Sequence, residues 1–328
     1  MMNPSAHATL ASPEILRVIR EAFGDAPVEG ISPLPTGRSG STVLELTTGG
    51  RAYVLRRHDP SRPMHRSRAE REIACLRIAS ERGVAPPLRH VDGPSCITIV
   101  EKVAGTPFGR SATLAPGRLA RLVDTLRRLH EGPPFPDGMP IASVAQHFHD
   151  SLRRQGATGL PESILRAIAE VSNLTERFAH GAPCHYDLNP GNILETANRT
   201  YFVDWDTACA GDPFVDLAQL GVFALPTPEA RGELLREYLG REPSAQERAR
   251  ASLARVLALA FYAAAFMHVS ASADGSTELT ATPLPIPELL ANLGRGRAAP
   301  DVVASSLHEA MLCEVRADAY AGAKELLG

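Results

Sequence analysis

The residues best spaced for chemistry in this chain are Asp187, Asn192 five positions later, and Asp204 at the end of a short apolar strand. They stand in the segments HYDLNPGNIL and YFVDWD. Phosphoryl transfer needs such a set: one carboxylate near the acceptor hydroxyl, and two oxygen donors for the magnesium ions that neutralise the phosphates. Asp187 would accept or orient the hydroxyl proton, while Asn192 and Asp204 would hold Mg2+ as hard oxygen donors. Asp, Asn, Pro and Gly also favour turns for their own sake. A turn alone, however, does not require the HxDxxxxN spacing together with an aspartate on a following strand.

Several elements must position these residues. Ser12 and Pro13 open a helix whose Ile15, Ile19 and Phe23 form an apolar stripe. A loop of small residues at 35–41 leads into a β-hairpin, residues 42–47 and 51–57 around Gly49-Gly50. A helix over 64–82 carries Ala69, Ile73 and Leu76 and stops at Gly83. Residues 96–100 read as a buried strand, and Glu101 to Gly105 breaks the pattern as a hinge. Beyond it the chain is mainly helical. There is a leucine stripe at 119, 122, 126 and 129, then a Pro-rich turn and a helix over 161–179. A long helix starts at the capping box Ser244/Glu247, and a last helix follows Asp301. The expected division is a nucleotide-binding lobe at 1–100, a hinge at 101–106 and a helical lobe with the acceptor site at 107–328.

HYDLNPGNIL followed by YFVDWDTACAGDPFVDLA resembles the aminoglycoside phosphotransferase and choline kinase superfamily, which shares the protein-kinase-like fold. PTGRSGST resembles the nucleotide loop, YVLRR the third strand, REIACL the small-lobe helix and ITIVEKVAG the hinge. The resemblance implies an α+β fold of two lobes, the smaller with an antiparallel sheet and the larger mainly helical. It implies ATP as phosphate donor, Asp187 as base, Asn192 and Asp204 as magnesium ligands, and adenine held by hinge backbone from Glu101 to Val103. Gly37, Arg38, Ser39, Gly40 and Ser41 would present backbone N–H groups to the phosphates. Kinase-like folds also place a cation on the third strand, paired with a glutamate of the next helix. Lysine occurs only at 102 and 324, so an arginine must serve. If Val54 roofs the adenine, strand alternation puts Arg56 in the cleft and Arg57 on the other face. Glu72 is then the expected anchor of Arg56, with Glu70 as fallback. The resemblance gives His185 a loop-fixing role and gives Asp216 hydrogen bonds from the catalytic-loop backbone. Cys184 reads as a buried small residue. Asp206 is open between metal or acceptor contact and a salt bridge, and Trp205 between core and acceptor site.

Composition narrows the partners. With a net charge of −3 and no basic run, nucleic acid is not an expected partner. Five scattered cysteines without CxxC spacing suggest neither zinc nor a disulfide framework. The start MMNPSAHATLASPE shows no signal-peptide pattern, and a cytoplasmic location is expected. The longest apolar run, 256–267, would span about 18 Å as a helix, too short for a roughly 30 Å hydrocarbon core, so no membrane role is expected. YVLR with an arginine resembles the choline, ethanolamine or thiamine kinase-like branch, whose acceptor is a small alcohol. An aminoglycoside or macrolide antibiotic kinase is the runner-up. Aminoglycosides are polycations, yet from Gly221 onward there are 13 Asp/Glu against 10 Lys/Arg, no acidic excess. A quaternary ammonium would instead want an aromatic cage, for which Phe214, Phe223, Tyr238, Phe261, Tyr262, Phe266 and Tyr320 are available. A pseudokinase interaction module is a rival from another class, but a scaffold has no need of Asp187, Asn192 and Asp204 together. The expected assembly is a monomer or homodimer.

Overall fold

The computed structural model describes residues 12–34, 41–59, 63–109, 116–157, 159–178, 181–274 and 279–328. The first helix, α1 (Pro13–Phe23), is capped by Ser12, whose Oγ accepts the Ile15 N–H at 3.3 Å. Five strands follow: β1 (Val28–Pro33), β2 (Thr42–Thr48), β3 (Arg51–Arg57), β4 (Leu88–Asp92) and β5 (Ile97–Glu101). They form one antiparallel sheet in the order β1-β2-β3-β5-β4. The β2–β3 turn uses Gly49 and Gly50, both at positive φ (57° and 68°), as a two-residue hairpin requires. Alternation sends Leu44, Leu46, Tyr53, Leu55, Ile97 and Ile99 to one face, where they bury against α1 as a small separate core.

The helix α2 (Pro63–Glu81) lies between β3 and β4 in the chain, yet its buried Cys75, Leu76 and Ala79 belong to the main core below. The small sheet is thus tied to the rest of the molecule through α2. After β5 comes the two-residue strand β6 (Thr106–Pro107). Then come α3 (Pro116–His130), α4 (Ile141–Arg154) and α5 (Glu162–Thr175). The helix α4 follows the Pro-rich turn, in a stretch to which the sequence pattern assigned no element. The short strands β7 (Ala182–Cys184), β8 (Ile193–Glu195), β9 (Thr200–Phe202) and β10 (Cys209–Gly211) make two small sheets, β6-β8-β9 and β7-β10. The chain ends in α6 (Pro213–Phe223), α7 (Pro228–Leu239), α8 (Ala245–Asp274), α9 (Ile286–Gly294), α10 (Pro300–Arg316) and α11 (Asp318–Leu327).

The apolar run at 256–267 is the middle of the long helix that the capping box predicts. The capping box starts α8 at Ala245, and alanine-rich turns carry it through 30 residues. By length and composition it could cross a membrane, but 72% of its most apolar window is buried within the protein. Helices α4, α5, α6, α10 and α11 pack around it, which makes it the axis of the large core.

Candidate active site

The catalytic-loop backbone is fixed from beneath by α6. Asp216 is fully buried, and its Oδ2 and Oδ1 accept the N–H groups of His185 and Tyr186, both at 2.8 Å. His130 Nε2 lies 3.0 Å from the same Oδ2. One helical turn on, Gln219 accepts the Leu188 N–H at 3.0 Å and donates to the Tyr186 carbonyl at 2.7 Å. These bonds hold Tyr186 at φ 62°, a left-handed conformation that costs a non-glycine residue energy. Its hydroxyl accepts the Asp212 N–H at 2.7 Å against Gly211, where a Cβ would come within 1.8 Å of that oxygen. His185 takes the structural role expected of it: Nε2 donates to the Val203 carbonyl at 3.0 Å and Nδ1 accepts the Asp187 N–H at 3.3 Å.

Asp187 stands on this support. Asn192 Nδ2 donates to its Oδ2 and to its backbone carbonyl, both at 2.9 Å. Oδ1 accepts from Asn189 Nδ2 at 3.1 Å and from the Tyr262 hydroxyl of α8 at 3.0 Å. Burial pushes the Asp187 carboxyl above the usual carboxylate range, and the Asp204 charge adds to the rise. The bonds from Asn189 and Tyr262 oppose it. Tyr262 is buried, and burial followed by the Asp187 charge drives its own pKa far up, so the phenol stays a donor. Tyr262 is the site residue that sequence reasoning placed only in a pool of aromatics. Its sole signal was a polar-tipped ring inside an apolar run.

Asp204 follows β9 with φ 67° and ψ 72°, again left-handed, and its side chain is about one-third exposed (35%). The Asn192 amide nitrogen is engaged by Asp187, which leaves the amide oxygen as its donor atom toward a cation. A carboxylate and an amide oxygen are the hard donors that Mg2+ prefers, so Asp204 and Asn192 fit the ion the sequence implies.

The opposite wall belongs to the small lobe. Tyr53 and Leu55 of β3 turn inward to α1, so Val54 and Arg56 face the other way. Arg56 pairs with Glu72 of α2 at 3.3 Å and with Asp204 at 2.7 Å, and lies 3.8 Å from Asp206. Burial works against its charge, but Glu72, Asp204 and Asp206 together hold its pKa above the ordinary value. Glu72 is itself buried and pairs with His58 at 2.7 Å, while Glu70 is exposed beside Arg66. The anchor is therefore Glu72, not the fallback. Arg57 turns to the other face and pairs with Glu14 of α1.

The remaining expectations divide. Asp206 forms a salt bridge, bound by both nitrogens of the Arg68 fork, and its carbonyl accepts from Arg71 at 2.8 Å. Trp205 is in the core at 2% exposure, edge-on to Phe135 and bonded to the Phe202 carbonyl. Burial pushes the Cys184 thiol well up, in keeping with an inert buried residue. Glu101 closes the β5 ladder opposite Tyr53, and Lys102 is tied to Glu45 at 2.7 Å. Val103 follows, half-buried. Ser41 is buried with its Oγ 3.2 Å from His58 Nδ1, whereas Gly37, Arg38, Ser39 and Gly40 lie outside the described residues. Of the aromatic candidates, Phe223 packs edge-on to Tyr262 beside Asp187, and Phe261 packs against it too. Tyr238 bonds His130 and Tyr320 bonds Glu170, away from the cleft.

Comparison with known proteins agrees with this geometry. Residues 30–254 match a family model described as a phosphotransferase enzyme family. The protein LicA of Haemophilus influenzae is 39% identical over 124 residues, covering 37% of this chain and 46% of that protein. The matched stretches span 21% to 46% of the length of the curated relatives. Among solved structures, a choline/ethanolamine kinase family protein from Mesorhizobium loti superposes with a TM-score of 0.66 at 21% identity, covering 100% of this chain and 99% of that one. Choline kinase LicA from Streptococcus pneumoniae gives 0.59 at 16% identity, over 90% and 99% of the two chains. At these identities the superpositions establish the two-lobed kinase-like fold.

Proposed function

The chain belongs to the phosphotransferase enzyme family, and on that premise we propose that it moves the γ-phosphate of ATP onto a hydroxyl of a small amino alcohol of the choline, ethanolamine or thiamine type. The observation that carries this reading is the convergence across one cleft of Asp187, Asn192 and Asp204 on one wall with Arg56, anchored by Glu72, on the other. In this reading Asp187 accepts the acceptor's proton, and its burial keeps it basic enough to do so. Arg56 grips the phosphates through its planar fork, which binds phosphate and carboxylate at once. Asn192 and Asp204 hold Mg2+, which when bound neutralises phosphate charge. Hinge backbone from Glu101 to Val103 holds the adenine, and the loop from Gly37 to Ser41 covers the phosphates.

The corresponding division is a nucleotide lobe at 1–100, a hinge at 101–106 and a helical lobe at 107–328. An amino alcohol is favoured by the choline and choline/ethanolamine kinases among the structural relatives and by the aromatic group around Tyr262. The balanced charge of the C-terminal third supports it over a polycationic antibiotic. Burial of α8 supports a helix that packs inside the protein and does not cross a membrane, and the reading is completed by a cytoplasmic monomer or homodimer whose net charge of −3 gives nucleic acid no footing.

The test is an ATP-consumption screen over choline, ethanolamine, thiamine, aminoglycosides and macrolides, with Asp187→Asn as control. Phosphate should appear on one of the first three. Asp187→Asn should bind Mg·ATP nearly as the parent does while losing about 10²–10⁴-fold in turnover. Transfer only to an antibiotic would replace the acceptor assignment. Retention of more than about a tenth of the rate would remove Asp187 as base.

A further inference from the structure

The helix α6 has two working faces. At 3.6 residues per turn, Asp216 and Gln219 point to the catalytic loop, and Phe214, Leu217, Ala218 and Gly221 point the opposite way. On that far side lies a pocket of about 210 Å3, lined by α7, α8 and Glu314 of α10 and open to solvent on one side. Phe214 and Leu217 supply an apolar floor, and Arg231, Arg248 and Arg255 line the remainder.

The charges there do not balance. Arg255 is committed to Glu314 and to the Gly221 carbonyl. Arg231 and Arg248 donate to the carbonyls of Pro226 and Pro243, which neutralise nothing. Among the described residues neither forms an ion pair with a carboxylate. Glu229 and Glu314 act on Arg231 only at longer range. Burial, and next the charge of Arg255, lower the Arg231 pKa to about 10. Gly221 is part of this construction. A Cβ there would meet Arg231 Cδ at 2.8 Å, so the missing side chain is what lets the arginine stem lie flat across α6.

Two guanidiniums without a carboxylate partner among the described residues, beside an apolar floor, suit a dianion with a short hydrocarbon body. We propose that this cavity binds a small alkyl phosphomonoester, at a site separate from the nucleotide cleft and backed by α6. The two fork-shaped donors would share the phosphate oxygens, and the dianion would offset the surplus charge of Arg231 and Arg248. The alkyl group would cover Phe214 and Leu217. A phosphomonoester carrying its own ammonium group would meet the arginines' repulsion, so the product of an amino alcohol kinase is not the favoured occupant. The inference does not depend on which alcohol the enzyme phosphorylates.

Calorimetric titration of the full chain with n-propyl phosphate, inorganic phosphate and phosphocholine tests it, first alone and then with Mg·ADP present. The expected result is saturable binding of n-propyl phosphate that survives Mg·ADP, weaker binding of inorganic phosphate, and weakest binding of phosphocholine. Arg231→Gln should weaken n-propyl phosphate at least tenfold. Arg248 is exposed, so Arg248→Glu should fold normally and give the same loss if Arg231→Gln proves unstable. No saturable binding by the wild type, or binding that Arg248→Glu leaves unchanged, overturns the proposal. Competition by Mg·ADP would place the phosphate in the cleft and overturn it equally.

Discussion

On the large-lobe wall Asp187 is presented by backbone: buried Asp216 and Gln219 hold four main-chain groups of the loop, and Asp187 itself moves little without breaking them. On the small-lobe wall Arg56 is held by side-chain ion pairs to Glu72 of its own lobe and to Asp204 and Asp206 of the other. The first arrangement suits a base that must meet one hydroxyl at one distance. The second suits the phosphate ligand proposed for Arg56, because long side chains adapt where buried backbone bonds cannot. The left-handed Tyr186 and Asp204 belong to the rigid wall and show what it costs to maintain.

The sharpest way to break this comparison is at β3. Arg56→Ala should lower kcat/KM for ATP by about two orders of magnitude, roughly 2.7 kcal/mol of transition-state stabilisation. Arg57→Ala removes only a pairing with the half-exposed Glu14 on the far face and should change kcat/KM less than about threefold. Steady-state kinetics on the two variants decides it. A larger loss in Arg57→Ala would mean that the strand's cleft-facing set is shifted by one residue.

Tyr262→Phe probes the rigid wall with a smaller effect. The phenol's bond lowers a carboxyl that burial has raised. Its removal should lift the Asp187 pKa further and leave less carboxylate at a given acidic pH. The acidic limb of the kcat/KM profile should therefore move to higher pH, with a few-fold loss of rate below it and little change above. An unmoved limb would show that the phenol packs without tuning the base.

How much of this was legible beforehand depends on the distance in sequence between partners. Asp187, Asn192 and Asp204 lie within one short segment, so their spacing sufficed. Arg56 against Arg57 followed from strand alternation, a local rule. Glu70 and Glu72 could not be separated, because they sit on opposite sides of one helix and only packing says which side faces β3. Tyr262 lies 75 residues from Asp187 and reaches it only once α8 is threaded through the large core. Asp206 was open for the same reason, as its partner Arg68 lies 138 residues away. The long α8 was legible because its polar cap, Ser244 with Glu247, is a local signal, whereas hydropathy alone marks only the middle of the helix.

That cap supplies the smallest effect and a control remote from both walls. Ser244 Oγ accepts the Glu247 N–H at 3.2 Å, Glu247 returns a bond to the Ser244 N–H at 2.8 Å, and Arg241 grips the same carboxylate at 2.7 and 2.8 Å. The Arg241 bond is the largest cause that lowers the Glu247 pKa to about 2; burial opposes it, and the bonds from Ser244 add to the lowering. An unfolded glutamate titrates near about 4.3. Because the folded value is the lower one, the pair's stabilisation is complete above the unfolded value and disappears as pH falls from about 4.3 through about 2. Arg241 is 58% exposed, so water screens the pair and Glu247→Gln should cost about 1 kcal/mol or less at pH 7. Denaturant unfolding at pH 7, 4 and 2.5 should show the two proteins converging as the pH falls. Turnover should stay at the wild-type rate, because Tyr262 lies four turns further along a helix held on all sides by the large core. A loss of kcat in Glu247→Gln would mean that fraying at the start of α8 reaches Asp187, and the large-lobe wall would then be as adaptable as the small-lobe one.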